Sequence, residues 1–118
     1  MNTTFNANLQ NCLFLKRKDI YEKVSISDIL YVEAGGSSLK VVTDSKRQYV
    51  LSLNLKNFLQ QVQSVDLVRV HRSYIVNPAR VDAVRGRLLR VGEKDIPYSE
   101  SYIPQINHFL PLVRSSIS

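Results

Sequence analysis

Most of the chain alternates apolar and polar side chains at period two, the pattern of strands with one covered face and one open face. In "LFLKRKDIYEKVSI" the alternation predicts two short strands around a turn at Arg17 to Asp19, with Ile20, Val24 and Ile26 repeating on one face. "DILYVEA" is denser, which predicts a strand covered on both sides. The "GGSS" after it marks a loop or bulge, because Gly35 and Gly36 permit positive φ and close backbone approach. "LKVVT" and "RQYVLSL" flank Asp44-Ser45-Lys46 as a hairpin. Further on, "VDAVR", "LLRVG" and "DIPYS" are short strands punctuated by Arg85-Gly86-Arg87 and Gly92-Glu93-Lys94.

Two segments change period. In "NLKNFLQQVQ", Leu55, Phe58, Leu59 and Val62 fall on one stripe of an amphipathic helix, and Asn54 is placed to cap it. In "SYIPQINHFLP", Tyr102 or Ile103, Ile106, Phe109 and Leu110 form a second stripe. Ser99 or Ser101 can cap that helix, Pro104 is tolerated in its first turn, and Pro111 ends it. Many short strands with two small helices predict a mainly-β domain of barrel-like or layered antiparallel sheets. A chain of 118 residues has room for one such core.

Charge changes the picture more than overall composition does. Lysine and arginine outnumber acids by 16 to 10, a net +6 that favours polyanions such as nucleic acid or an acidic membrane surface. Cys12 is the single cysteine, so neither an intrachain disulfide nor a cysteine metal cluster is possible, which fits a reducing compartment. The N-terminal stretch lacks the basic and apolar regions of a secretory signal, and no segment approaches the roughly 20 apolar residues that span a bilayer. A soluble, cytoplasmic protein without a membrane partner is expected.

Catalytic patterns do not occur. No metalloprotease, paired-cysteine, phosphate-loop, dinucleotide or nucleophile-elbow motif is found, and nothing brings a nucleophile, a base and an orienting group together. No enzyme activity, cofactor or metal is expected. Arginine stands out instead. Residues 69, 72, 80, 85, 87 and 90 are all arginine, against the single acid Asp82 in that interval. The planar guanidinium fork can grip a phosphate or the O6/N7 edge of guanine. Arg85, Arg87 and Arg90, spaced around a turn, also fit plain solvated strand faces.

The stretch "VRVHRSYIVNPARV" poses the sharpest question, since it threads Arg69, His71, Arg72 and Arg80 through a β-branched segment. Arg72 falls where the alternation gives way, at a strand end from which a side chain can be aimed outward. His71 fits a hydrogen-bonded structural role better than a metal site, and Asn77 before Pro78 a turn role. Tyr31, Tyr49 and Tyr74 fit core or sheet pairs. The basic run Lys16, Arg17 and Lys18 fits a solvated turn.

Four blocks, "DILYVEA", "LNLKNFLQQV", "VRVHRSYIVN" and "IPYSESY", stand in the order and spacing of the LytTR family of bacterial DNA-binding domains, which the chain resembles from about Phe14 to Leu110. The resemblance implies a DNA-binding domain over residues 13–118, preceded by a tail or residual linker over residues 1–12, and no helix-turn-helix. It implies a response-regulator output domain of a two-component system. Its strand-end loops would enter two successive major grooves and the minor groove between them. Two molecules would sit on imperfect direct repeats of double-stranded DNA. By position, the family's three reading points fall at Ser37 and Ser38, at Arg72, and at Glu100 or Ser101; Lys40 and Ser73 beside them would contact phosphate. Arg72 would then be displayed at a strand lip, with His71 bracing it and Val70, Tyr74 and Val76 fixing the frame.

The chain departs from its relatives in three ways. Many have a basic residue where Glu100 follows Ser99; a carboxylate there can accept from cytosine N4 but is repelled by phosphates. The first loop carries small serines in place of a bulkier side chain, so its base contacts would be weak or water-bridged. No receiver domain precedes the binding unit, so either a stand-alone regulator or a piece of a longer one is expected, with a receiver domain or upstream regulator as an outside partner. Two rival functions remain at this stage, an RNA- or single-strand-binding β-barrel and a basic protein-interaction module.

Overall fold

The alternation at the start of the chain becomes a hairpin: β1 (Cys12–Arg17) pairs antiparallel with β2 (Ile20–Ser25) from Cys12↔Ser25 to Arg17↔Ile20. The computed structural model describes residues 11–63 and 66–115, so the expected tail over residues 1–12 lies outside the described residues apart from Asn11 and Cys12. Leu15 and Val24 face the core. Ile20, at the hairpin tip, does not: it is 52% exposed.

A turn of 3-10 helix (Ile26–Asp28) leads into the central sheet. Its strands are β3 (Ile29–Gly35), β4 (Ser38–Thr43), β5 (Gln48–Leu51), β6 (Val68–His71) and β7 (Tyr74–Val76), in the order β5-β4-β3-β7-β6. Between β5 and β6 lies α1 (Leu55–Val62), started by the Asn54 side chain, which accepts from the Asn57 N–H at 2.8 Å. After a second 3-10 turn (Pro78–Arg80) come β8 (Val81–Arg85), β9 (Leu88–Val91) and β10 (Lys94–Pro97), a separate sheet in the order β10-β9-β8. A third 3-10 turn (Glu100–Tyr102) runs into α2 (Ile103–Phe109).

Among the described residues the fold is thus mainly antiparallel β with two short helices, as expected, and strands separate the helices so that they form no helix-turn-helix. It is layered. One face of the central sheet, with Val32, Leu39, Val41 and Ile75, packs on the β1–β2 hairpin and α1; the other, with Val68, Val70 and Val76, packs on Leu89, Val91 and Ile96 of the outer sheet and Ile106 of α2. Burying a valine or isoleucine is worth about 1.5–3 kcal/mol. A one-residue slip would carry every side chain to the opposite face, so a sheet covered on both sides has its register locked. That register sets where each turn emerges.

Two expectations need correction. Neither Ser99 nor Ser101 caps the last helical segment through its side chain; the Tyr102 N–H bonds instead to the Ser99 carbonyl at 2.9 Å, tightening the entry into a 3-10 turn. Of the second stripe, Ile106 is buried and Leu110 packs against the core, but Phe109 is 37% exposed and lies edge-on to His108.

Candidate nucleic-acid interface

Strand pairing brings the three sequence-predicted points to one end of the central sheet. β3 and β7 pair with Glu33 opposite Tyr74, and the Ala34 N–H donates to the Ser73 carbonyl at 2.9 Å. The β6–β7 turn (Arg72, Ser73) therefore lies beside the end of β3, next to the β3–β4 turn. β6 is an edge strand, with carbonyls that the ladder leaves open. The Val70 carbonyl, at a register shift between Arg69 and His71, accepts the Ser99 N–H at 3.0 Å. That bond places Glu100 and Ser101 beside the end of β6.

The nitrogen-rich residues of the 68–81 stretch have four different roles. Arg69 reaches along its own strand: its Nε donates to the His71 carbonyl at 3.2 Å and its Nη2 to the Arg72 carbonyl at 2.7 Å. His71 Nδ1 accepts the Ser73 N–H at 3.1 Å, so its other ring nitrogen carries the proton in this arrangement, and its ring lies 5.8 Å from that of Tyr74. The two side chains together tie down both residues of the turn. Arg72, at the apex, is exposed, and its guanidinium makes no ion pair among the described residues. Arg80 faces the far end, where Nε donates to the Ser27 carbonyl at 2.8 Å and Nη1 pairs with Asp44 at 3.1 Å. His71 thus braces the backbone beneath Arg72 rather than the guanidinium itself.

At the first turn, Gly36 has φ +64°, so the predicted loop is a tight reversal through Gly36 and Ser37. Ser37 is exposed at its tip, while the Ser38 hydroxyl donates back to the Gly35 carbonyl at 3.3 Å. Lys40 is less free than the sequence suggests. Its Nζ lies 4.0 Å from Glu33, which also takes Lys94 at 3.8 Å and the Tyr74 hydroxyl at 3.0 Å. Lys94 stands 5.7 Å from the ring centres of both Tyr31 and Tyr74. Burial holds the hydroxyls of Tyr31 and Tyr74 above the usual phenol range. The cluster keeps one positive charge in excess. At the third point Glu100 and Ser101 are both exposed.

The sequence reading named Arg69 without its backbone-gripping role and did not single out Glu33 or Lys94 as site residues. Arg69 carried the only available signal, its position two residues before His71 on a strand, but an arginine that grips backbone carbonyls is spelled like one that faces solvent. A groove of about 770 Å³, lined by Ile26, Ser27, Asn77, Ala79 and Phe109 among others, opens at the opposite end of the sheet. Turns that project side chains from a rigid edge suit insertion into a partner's groove rather than enclosure of a small ligand.

Such an edge suits a nucleic-acid groove, and comparison with known proteins gives the family. The LytTr DNA-binding domain model matches residues 19–110, most of the chain, which therefore belongs to the LytTR family and is a DNA-binding domain of the kind used in regulation. Among solved structures, the LytTr DNA-binding domain of a Bacillus cereus protein described as a methyl-accepting/DNA response regulator superposes with a TM-score of 0.71. It is 24% identical, over 86% of this chain and 98% of that one, a likeness that speaks to the fold alone. Curated proteins give no significant match. No helix among the described residues is long and apolar enough to cross a membrane.

Proposed function

We propose that the chain recognises specific duplex sequences in the control of bacterial transcription, in the cytoplasm and without enzymatic activity of its own. The strand-end points at Ser37 and Ser38, at Arg72, and at Glu100 or Ser101 would enter two successive major grooves and the minor groove between them. Two molecules would bind a pair of imperfect direct repeats, under a receiver domain or another upstream regulator of a two-component system. The observation that carries this reading is Arg72, exposed and unpaired among the described residues on a turn fixed by Arg69 and His71. Holding the apex rigid removes ordering entropy from the binding step. Lys40 and Ser73 would meet phosphate, and Ser37, Ser38, Glu100 and Ser101 base edges or bridging waters.

The single-strand alternative needs open stacking platforms, whereas Tyr49 is buried and Lys94 covers Tyr31 and Tyr74. Selection of bound sequences from random duplexes tests the proposal: a twofold direct repeat should be enriched, with binding that weakens steeply as salt rises. Arg72→Ala should then cost about 1–3 kcal/mol on the selected site and less on unrelated duplex. Equal losses on both would reduce Arg72 to a phosphate contact, and no enrichment at all would end the claim of specificity.

A further inference from the structure

The three arginines of the β8–β9 hairpin, alike in sequence, are employed differently in the structure. Arg90 is taken up by Asp95, with Nε 2.6 Å and Nη2 3.5 Å from the two carboxylate oxygens, and this hydrogen bond is the main reason the Asp95 carboxyl lies below its usual range. Arg85 and Arg87 have no carboxylate within ion-pair distance among the described residues. Both are exposed at the hairpin tip, on either side of Gly86. Arg87 lies 5.9 Å from the centre of the Tyr98 ring. A guanidinium held over an aromatic ring still carries the N–H fork that suits a phosphate.

The tip is tied to the interface. The Tyr98 hydroxyl donates to the Gly86 carbonyl at 2.9 Å and the Tyr98 N–H to the Arg87 carbonyl at 3.0 Å. The next residue, Ser99, donates to Val70 in β6, two positions before Arg72. Two backbone bonds from adjacent residues, Tyr98 N–H to Arg87 and Ser99 N–H to Val70, thus tie the hairpin tip to the end of β6 beside the Ser99–Ser101 point. Unopposed like charge gathered on a rigid tip is unfavourable unless water or an anion meets it, and along this edge the anion at hand is the DNA backbone.

We propose that Arg85 and Arg87, positioned by Tyr98, form a further anchor on the sugar-phosphate backbone of the duplex, lateral to the reading turns, so that the domain engages DNA beyond the base pairs it reads. This rests on the duplex-binding reading above. The anchor adds affinity without sequence preference, and it replaces at this flank the positive charge that Glu100 denies it.

The test uses the whole chain with both arginines changed, Arg85→Gln and Arg87→Gln, on a duplex carrying the selected site. Both residues are exposed, and an unchanged unfolding midpoint confirms that the variant folds. Each lost phosphate contact flattens the slope of log K against log salt by about 0.9, so the double variant should be shallower by about 1.8 with base preference unchanged. Trimming the duplex on the hairpin side should weaken the natural chain and leave the variant unaffected. A slope equal to that of the natural chain overturns the anchor and leaves the reading turns in place. Absence of salt-steep duplex binding by the natural chain overturns both.

Discussion

The two ends of the central sheet use the same residue types in opposite ways. At the far end, several cations and polar side chains bond to the protein itself. Arg80 bonds to Ser27 and Asp44, Arg17 and Arg47 converge on Glu22, and buried Asn77 donates to the carbonyls of Ile26 and Ile29 at 3.1 and 2.9 Å. At the turn end, Arg69 and His71 hold backbone while Arg72 stands clear, and Arg85 and Arg87 stand at the hairpin tip tied to it. The difference teaches that an arginine count says little about ligands. What decides is whether an acid or an unpaired carbonyl lies within a guanidinium's reach.

Substitutions at the two ends should therefore separate stability from binding. The largest effect belongs to Asn77→Ala, which removes the side-chain bonds to the Ile29 carbonyl and to the Ile26 carbonyl, the latter keeping the Ile29 N–H, and the bond that the side-chain oxygen accepts from the Ala79 N–H. A stability loss of about 3 kcal/mol is expected in denaturant titration, with the DNA affinity of the folded fraction preserved; a selective loss of affinity would break the division between the ends. Next comes Arg69→Ala. It should weaken cognate binding by about 1 kcal/mol through a loosened turn, and Arg69→Lys should fail to restore it, because a point ammonium cannot span two carbonyls. Full recovery with lysine would show that only charge matters there. Arg80→Ala should cost up to about 1 kcal/mol of stability, visible as a lower melting temperature, while duplex affinity at fixed salt hardly moves.

The smallest effect concerns pH. The Tyr49 hydroxyl, donating at 2.9 Å, is the main group that lowers the Glu22 carboxyl below its ordinary range, with Arg17 and Arg47 adding to it. A depressed folded pKa stabilises fully above the unfolded value, about 4.3, and that contribution is lost as pH falls through the folded value. The stability gap between the natural chain and Glu22→Gln should accordingly be widest near neutrality and close in acid. A gap that stays constant with pH would show that the interaction is not ionic.

Much of this architecture was legible because alternation and helical stripes are local signals: Val24, Val32, Val41 and Val70 face inward as their period dictates, and Leu55 and Phe58 anchor α1. The "GGSS" reversal and the Asn77 turn were legible through residue chemistry. Ile20 and Phe109 misled because an apolar side chain in the right phase is covered only if its element ends under a neighbour. The pairing of Lys40 was hidden because its acid, Glu33, sits on a different strand.

The order of residues thus determined the strands, the helices, the positive field and the place of Arg72 at a strand end, since each depends on neighbours a few positions apart. Only the tertiary structure decided which cations remain available. Arg69 and Arg80 find backbone carbonyls, Arg90 finds Asp95, and Arg72, Arg85 and Arg87 find no carboxylate among the described residues. A charge is answered by what stands within about 4 Å in space, and pairing between strands far apart in the chain sets that distance.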